Sequence, residues 1–322
     1  MSRTTLRGLL LFVALTLIIH LDPSGARAER QIGIIKYTEE ARFVESERGI
    51  MDQLKQDGFG EPKVTFTREN AEGSKAKAAE LARRFAMAKR ELIMTIGTTA
   101  TIAAVREIKD VPIVFSIVYD PVEAGIAKGW KSSGNNTTGA SARIPMEQLV
   151  QSLKRLAPVQ KLAVLYTPGE RHTEIMLKEL QGLQSKFGIK VIPVILSKAE
   201  EVAQILPAVV KTVDAIALTG SSIHYTSVPM IVDMATKAKV ITITHIEEFV
   251  DKGALMGISA SPYLQGRLAG EKAVKVLKGA KPSSISIETP RKLDFVLNMK
   301  TAKAGGFQIP EEFKKMVTRT VE

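Results

Sequence analysis

Short apolar runs alternate with stretches of helical periodicity along most of the chain. In the first half the runs occupy residues 31–36, 63–67, 92–96 and 111–115, and helices are predicted between them at residues 40–56, 74–90 and 99–108. The runs are too short and too continuous for amphipathic helices. Buried strands joined by helices form parallel sheets, so this half predicts an α/β lobe.

A second series of the same kind follows. Its strands are predicted at residues 161–166, 190–195, 214–218 and 240–243, with a fifth at 254–258 and a long helix at 262–278. The first four strands lie at a nearly constant offset of about 125 residues from those of the first series, which indicates two lobes of similar topology. Residues 131–139, KSSGNNTTG, are rich in turn formers and predict a crossover between the lobes.

The N-terminal segment has the pattern of a secretory signal peptide. Arg3 and Arg7 precede an apolar run over residues 9–19, and Ala26 and Ala28 are small residues where a signal peptidase reads. We expect cleavage after Ala28; a retained membrane anchor is the alternative. The 322-residue chain contains no cysteine, so it can form no disulfide and carries no lipidated N-terminal cysteine. These observations predict a soluble periplasmic protein.

The net charge raises the question of nucleic acid. It is +11 for the whole chain, and residues 1–28 hold three arginines and one aspartate, which leaves +9 after cleavage. The lysines and arginines are spread over many segments, without a basic block interleaved with aromatic residues. We therefore expect a solvated basic surface and no nucleic-acid partner.

Candidate binding residues cluster where predicted strands end, because open parallel sheets bind ligands at the carboxyl ends of their strands. Thr98 and Thr99 follow the strand at 92–96 and open a helix, where N–H groups and hydroxyls suit an anion. Either threonine could instead only cap the helix. Asp120 could meet a ligand amine or cap the turn before Pro121.

Further candidates follow the other strands, and each has a purely structural alternative. Lys36 and Tyr37 could hold a carboxylate or a ring, or form a plain rim. Ser221 and Ser222 could donate to ligand oxygens or cap a turn. His245 could line the cleft or lie on the surface. His172, His224 and His245 match no compact metal motif, so we predict no metal and no cofactor; a metal receptor is a minor alternative.

Several stretches resemble the substrate-binding proteins of ABC transporters, in particular the subgroup that includes tryptophan- and tyrosine-binding members. They are IGTTAT, VPIVFSIVYDPVEAG, NNTTGAS, LYTPGE and, most specifically, the C-terminal run beginning YLQGRLAGEKAVKVLKG. The resemblance implies a type I periplasmic-binding-protein fold, in which two Rossmann-like αβα lobes with parallel sheets are joined by three crossings. The implied lobes are residues 29–140 with 260–281, and residues 141–259 with 282–322.

The resemblance also implies site residues. Thr98 and Thr99 match the family's hydroxyl turn, and Asp120 matches the acid of its Asp-Pro motif. In the second lobe the usual Asn-Pro-Gly-Glu begins here with Thr167, which we include as a candidate. The polar turn that normally bears an acid reads Thr-Gly-Ser-Ser at residues 219–222, and the acid expected before the long C-terminal helix is absent from residues 259–261. These departures leave the ligand open and make a less cationic or an anionic solute plausible.

The preferred function is that of the periplasmic component of an ABC importer. It would bind a small amino-acid or carboxylate-like solute by hinge closure and deliver it, as a monomer, to a permease in the inner membrane. The alternative is an exported ligand-sensing module that engages a membrane sensor kinase. No nucleophile elbow or HExxH pattern is present, so we do not expect an enzyme.

Overall fold

A computed structural model describes residues 30–88 and 90–322. The predicted signal peptide therefore lies outside the described residues. Two sheets, each covered by helices, form two lobes with a cleft between them. Among the described residues, none of the helices has the length and hydrophobicity needed to cross a bilayer.

The first sheet is entirely parallel, with the order β2-β1-β3-β4-β5. The central strands β1, β3 and β4 are mostly apolar because helices cover both faces of the sheet, and every residue of β3 is buried. The elements of this lobe are β1 (Arg30–Lys36), α1 (Ala41–Gln56), β2 (Val64–Asn70), α2 (Lys75–Met87), β3 (Leu92–Ile96), α3 (Thr98–Glu107), β4 (Ile113–Val118) and β5 (Thr137–Ser141).

The second sheet has the order β12-β11-β10-β9-β8-β6-β7 and is parallel except where β10 meets β11. Its first part contains α4 (Met146–Leu156), β6 (Lys161–Tyr166), α5 (Arg171–Gly182), α6 (Gln184–Phe187), β7 (Lys190–Ile195), α7 (Glu201–Val209), β8 (Ala215–Leu218), α8 (Val228–Lys237), β9 (Ile241–Thr244), α9 (Glu247–Asp251) and β10 (Met256–Ser259). After α10 (Pro262–Leu277), the tail adds β11 (Asp294–Asn298), α11 (Met299–Gly305), α12 (Glu311–Lys314) and β12 (Arg319–Val321).

Helix α10 returns the chain to the first lobe, where it packs along α1. Small residues permit this close approach: a Cβ on Gly266 would lie 2.0 Å from the Ser46 carbonyl oxygen, and a Cβ on Gly49 would lie 2.2 Å from that of Tyr263. The chain remains on this lobe through Glu288, which bridges Ala140, and joins the second sheet at β11. The described chain thus passes between the lobes after β5, after β10 and before β11. The residue limits predicted for each lobe stay predictions.

The turn-rich stretch predicted as a crossover instead ends in β5, the edge strand of the first sheet. Its polar side chains hydrogen-bond to backbone carbonyls of other segments, so they can be buried in a strand without an apolar pattern. The Asn136 amide donates to the Val111 carbonyl at 2.6 Å, and the Thr138 hydroxyl donates to the Ile285 carbonyl at 2.9 Å. The crossover follows at residues 142–145.

Candidate ligand-binding site

A cavity of about 290 Å³ lies between the lobes at the carboxyl ends of their strands. The first lobe lines it with the starts of α1 and α3 and with residues that follow β4; α10, which packs on that lobe, also begins there. The second lobe contributes the start of α5, the loop after β8 and the segment from His245 into α9. A solute held here would contact both lobes, so its binding would favour the closed arrangement.

The start of α3 presents unpaired donors to this cavity. Gly97 precedes the helix with φ of 106°, and α3 has no side-chain cap, so its first N–H groups have no partner in the helix. A Cβ at Gly97 would lie 2.8 Å from Cε1 of Phe43, so glycine is needed for space as well as for conformation. The Thr98 hydroxyl accepts from the Tyr119 N–H at 3.2 Å. The helix start therefore suits a carboxylate.

Arg42, in the first turn of α1, places a buried cation at the cavity. Its Nη2 donates to the Gly220 carbonyl of the second lobe at 2.9 Å and pairs with Glu40 at 2.6 Å. The guanidinium lies over the Phe43 ring, 4.8 Å from the ring centroid. Arg42 is 8% exposed, yet its Nε has no hydrogen-bond partner among the described residues. One N–H of this buried cation thus lacks an acceptor among the described residues.

Two histidines of the second lobe lie beside Gly220 at the cavity. His172 Nε2 lies 3.3 Å from the Gly220 carbonyl oxygen, and the His245 ring meets Tyr119 edge-on with centroids 5.6 Å apart. Burial, with the nearby Arg42 charge, lowers the pKa of His172 to about 4 and that of His245 to about 3. Both imidazoles are therefore neutral at physiological pH. Because the Nε2–H of His172 points to a carbonyl, its Nδ1 is an acceptor.

Several buried polar atoms at the cavity lack partners within the described part of the chain. They include the Nδ1 atoms of His172 and His245, the Ser259 hydroxyl and Oε1 of Gln265. The Gln265 amide is oriented, because its Nε2 donates to the Ala260 carbonyl at 2.8 Å. Leaving a buried polar group unpaired costs about 1–3 kcal/mol. A ligand that pairs with these atoms would remove that cost.

Backbone strain lies at the same place. Ile117 lines the cavity with φ of 55°, a left-handed conformation that is costly for a β-branched residue. The pairing of β4 with β5 shifts register between Phe115 and Val118, so the strand bulges there. The bulge displaces the end of β4 from regular pairing beside the cavity.

Five of the residues proposed from the sequence line the cavity: Tyr37, Thr98, Thr99, Ser222 and His245. The Tyr37 hydroxyl donates to the Gly73 carbonyl at 2.6 Å, and burial raises the pKa of this phenol to about 12. The hydroxyl thus stays protonated and tied to the first lobe. Whether these side chains contact a solute stays a prediction.

The remaining four proposed residues do not line the cavity: Lys36, Asp120, Thr167 and Ser221. Lys36 pairs with Glu47 at 2.6 Å and with Glu39 at 2.9 Å. Asp120 is 2% exposed and accepts from the N–H groups of Val122 and Glu123 at 2.9 and 3.0 Å, while Arg143 lies 3.3 Å away. Asp120 thus caps the turn through Oδ1, and its contact with a solute stays a prediction.

Thr167 and Ser221 belong to a buried network beside the cavity. The Thr167 hydroxyl donates to the Leu196 carbonyl at 2.8 Å and lies 2.8 Å from the Ser221 hydroxyl and 3.2 Å from Nε2 of His224. Both residues therefore hold the second-lobe loops in place.

Within the described residues, no group of three histidines, cysteines or acids could hold a metal ion.

Four further residues line the cavity that were not among the ligand-binding candidates from the sequence: Arg42, Tyr119, Gln265 and His172, the last of which was weighed only in the metal-receptor alternative. Arg42 and Gln265 lie in the first turns of helices that follow β1 and β10, and His172 lies at the start of the helix after β6. Their position along the chain could have identified them, because the first turn of a helix that follows a parallel strand lies at the carboxyl edge of the sheet. Their residue types alone carried no such signal.

Comparisons with known proteins identify the family of this chain. The model of the ABC transporter substrate binding protein family matches residues 31–321. The tyrosine-binding protein of Clostridioides difficile (strain R20291) is 27% identical over 285 residues, which cover 87% of this chain and 82% of that protein.

Solved structures show the same fold. The ABC domain in complex with L-Trp from Streptococcus pneumonia has a TM-score of 0.86 at 25% identity and covers 91% of this chain and 100% of that one. A conserved domain protein from Vibrio cholerae has a TM-score of 0.85 at 28% identity, with coverages of 91% and 99%. The predicted type I periplasmic-binding-protein fold is thus confirmed, and the family consists of binding proteins rather than enzymes. The chain belongs to the ABC transporter substrate-binding protein family.

Proposed function

We propose that this protein binds a small carboxylate-bearing solute, an amino acid or a related acid, in the interlobe cavity and delivers it to an ABC permease in the inner membrane. Export through the predicted signal peptide would place this step in the periplasm, with the protein acting as a monomer. The proposal joins three parts: a binding site, a closing motion and a membrane partner.

One observation carries the proposal. The cavity between the lobes gathers the uncapped start of α3, the partly unpaired Arg42 guanidinium and buried acceptors without partners. Helix N-termini and guanidinium groups bind carboxylates, and the acceptors suit a hydroxyl or N–H on the rest of the solute. Tyr37, Phe43 and Tyr263 give the cavity a partly aromatic wall. A solute with one carboxylate and a ring would use all of these features.

Contacts between the lobes support hinge closure. Besides Arg42, Lys75 at the start of α2 donates to the Gly169 carbonyl of the second lobe at 2.7 Å. On the side of the crossings, Arg171 donates to the Glu123 carbonyl at 3.0 Å, and the Tyr119 hydroxyl donates to Glu179 at 2.5 Å. The first two contacts span the cleft, so an opening of the hinge would break them.

Relatives support the solute class. A family member that is 27% identical is a tyrosine-binding protein, and another that is 25% identical was solved with L-Trp. Both names point to solutes with a carboxylate and a ring. The chain lacks acids where the family usually has them, so we extend the proposal from amino acids to related acids.

Isothermal titration tests the proposal. The mature chain, residues 29–322, would be unfolded, dialysed and refolded to remove solute carried from the cell, and then titrated with amino acids and aromatic and aliphatic carboxylates. We expect at least one to bind with micromolar or better affinity, and Arg42→Met to weaken that binding at least tenfold. Binding only of sugars or nucleosides, or no binding at all, would contradict the proposal.

A further inference from the structure

One wall of the cavity carries a carboxylate with an unpaired oxygen. Glu248, in the first turn of α9, belongs to the second lobe and lines the cavity. Its Oε1 accepts from the Tyr225 hydroxyl and lies 3.4 Å from Nζ of Lys252. Its Oε2 is buried and has no hydrogen-bond partner among the described residues. Neither Tyr225 nor Lys252 lines the cavity, so both donors hold the carboxylate from within the second lobe.

The two groups that hold Glu248 are themselves packed. Nζ of Lys252 stands over the Tyr225 ring, 3.1 Å from the ring centroid. The same ring packs against Phe249, with the two centroids 6.1 Å apart. A flip of the Glu248 carboxylate only exchanges its two oxygens. One oxygen therefore stays unpaired in either orientation.

The other acids of this region are engaged or lie behind the wall. Three of them line the cavity and pair with an arginine: Glu45, Glu247 and Asp251. Two more are buried beside the cavity without lining it. They are Glu40, which pairs with Arg42 at 2.6 Å, and Glu170, whose Oε2 lies 3.8 Å from Nε2 of His172. Within the described part of the chain, Glu248 is thus the lining acid whose buried oxygen has no partner.

The two lobes offer different groups to a solute. In the second lobe, Nδ1 of His172 is a further unpaired acceptor, because the Nε2–H of this ring points to the Gly220 carbonyl. In the first lobe, the start of α3 offers N–H donors that suit a carboxylate. A solute whose carboxylate lies at α3 therefore turns its other end toward the acceptors of the second lobe.

We infer that Oε2 of Glu248 selects solutes with a hydroxyl or N–H at the end remote from the carboxylate, such as a phenol or an indole. The inference rests on the proposed function, because it assumes that the cavity binds a small carboxylate. A solute with this donor pairs Oε2, whereas an analogue without it excludes water and leaves the buried oxygen unpaired, which is costly. Sites built to pair a hydroxyl or N–H of their substrate reject such analogues strongly.

Three pairs of compounds test the inference on the refolded mature chain by isothermal titration. The members of a pair differ in one remote donor: L-tyrosine with L-phenylalanine, 3-(4-hydroxyphenyl)propanoate with 3-phenylpropanoate, and L-tryptophan with 3-(benzothiophen-3-yl)-L-alanine, in which sulfur replaces the indole N–H. Any better binder would be paired in the same way with the analogue that lacks its donor. We expect the donor-bearing member to bind at least tenfold more tightly, which corresponds to about 1.4 kcal/mol.

Glu248→Gln changes the chemistry at one atom. Because Tyr225 and Lys252 are donors, the glutamine carbonyl should face them and its NH₂ group should take the place of Oε2. The acceptor becomes a donor, so the ratio of affinities within the pair should fall at least tenfold. Glu45→Gln is the matched control: it removes the same charge from a lining acid that pairs with Arg48, and should change the ratio less than twofold. Partial unfolding of a variant would affect both members alike and leave the ratio unchanged.

The outcomes distinguish the inference from the proposed function. If the best-binding carboxylate has no hydroxyl or N–H apart from an ammonium beside its carboxylate, or if the donor-free member of its pair binds as tightly, the inference is overturned and the proposed function stands. If Glu248→Gln leaves the ratio unchanged, or Glu45→Gln lowers it as much, Glu248 does not recognise the donor and the inference fails. If no carboxylate binds, the inference and the proposed function both fail.

Discussion

Replacing Gly220 by alanine adds one methyl group at the point where the two lobes meet. Gly220 has φ of 76°, and its carbonyl accepts from Arg42 of the first lobe. A Cβ there would lie 2.2 Å from Cδ1 of Ile246, 3.0 Å from Nη1 of Arg42 and 3.2 Å from Cε1 of His245. All three side chains line the cavity. The methyl group would therefore disturb both folding and solute binding.

The magnitude has two parts. The left-handed backbone costs an alanine about 1–2 kcal/mol relative to glycine. The Ile246 side chain must also leave its packed position, and such overpacking costs about 1–3 kcal/mol. We expect Gly220→Ala to lower the free energy of unfolding by about 2–5 kcal/mol in total. Because Ile246 and His245 can yield only toward the cavity or the core, solute affinity should fall at least tenfold.

Gly125→Ala is the matched control. Gly125 has φ of 73°, and a Cβ there would meet no atom within 4 Å. This variant pays only for the backbone, so the difference between the two variants isolates the steric part. Urea unfolding followed by circular dichroism would measure stability, and isothermal titration would measure affinity for the best binder. If Gly220→Ala is no less stable than Gly125→Ala and binds equally well, the packing around Gly220 is not as described.

Three further perturbations separate binding from stability. Thr99→Val removes a hydroxyl that lines the cavity and should weaken solute binding about fivefold, with the melting temperature of the empty protein within a few degrees of wild type; unchanged affinity would remove Thr99 from the site. Thr167→Val breaks a buried network and should lower the free energy of unfolding by about 1–3 kcal/mol; an affinity loss beyond that expected from unfolding would show that Thr167 contacts the solute. The folded pKa values of His172 and His245, about 4 and 3, lie below the ordinary value of 6.5, so the unfolded state binds more protons and stability should fall as pH drops from 6.5 toward 4. Urea midpoints at several pH values would show this, and His172→Asn should flatten the slope; a slope identical to wild type would contradict the low pKa of His172.

The hydrophobic pattern placed the buried strands well. The predicted limits of β3, β6 and β7 agree with the structure. For β3 the reason is that a parallel strand covered on both faces is apolar throughout, whereas the edge strand β7 is buried only at alternate positions. The pattern failed for β5, whose residues are Thr-Thr-Gly-Ala-Ser and whose neighbours are satisfied by asparagine and threonine side chains. A buried strand whose polar side chains have hydrogen-bond partners elsewhere in the fold has the sequence pattern of a loop.

The sequence predicted where in the fold the cavity lies, but not most of the residues that line it. The end of β3 marked Thr98 and Thr99, because a glycine before a helix at a sheet edge is a local signal. For Asp120 the sequence did not decide between binding a ligand and capping its own turn. In the structure the N–H groups of Val122 and Glu123 donate to its carboxylate. Arg42 depends on a carbonyl 178 residues away, a relation that no local pattern contains.

Under the proposed function, solute recognition and hinge closure depend on the same atoms. If the lobes close by the proposed hinge motion without a solute, Arg42 keeps the Gly220 carbonyl seen in the structure, but its Nε and the free atoms of Ser259 and Gln265 stay buried and unpaired. Each unpaired group costs about 1–3 kcal/mol, so the three together offset the about 1.5–3 kcal/mol that one hydrogen bond from a charged group returns. A solute that pairs with these atoms removes the cost only in the closed form. Its differential affinity for that form is then the free energy that shifts the hinge.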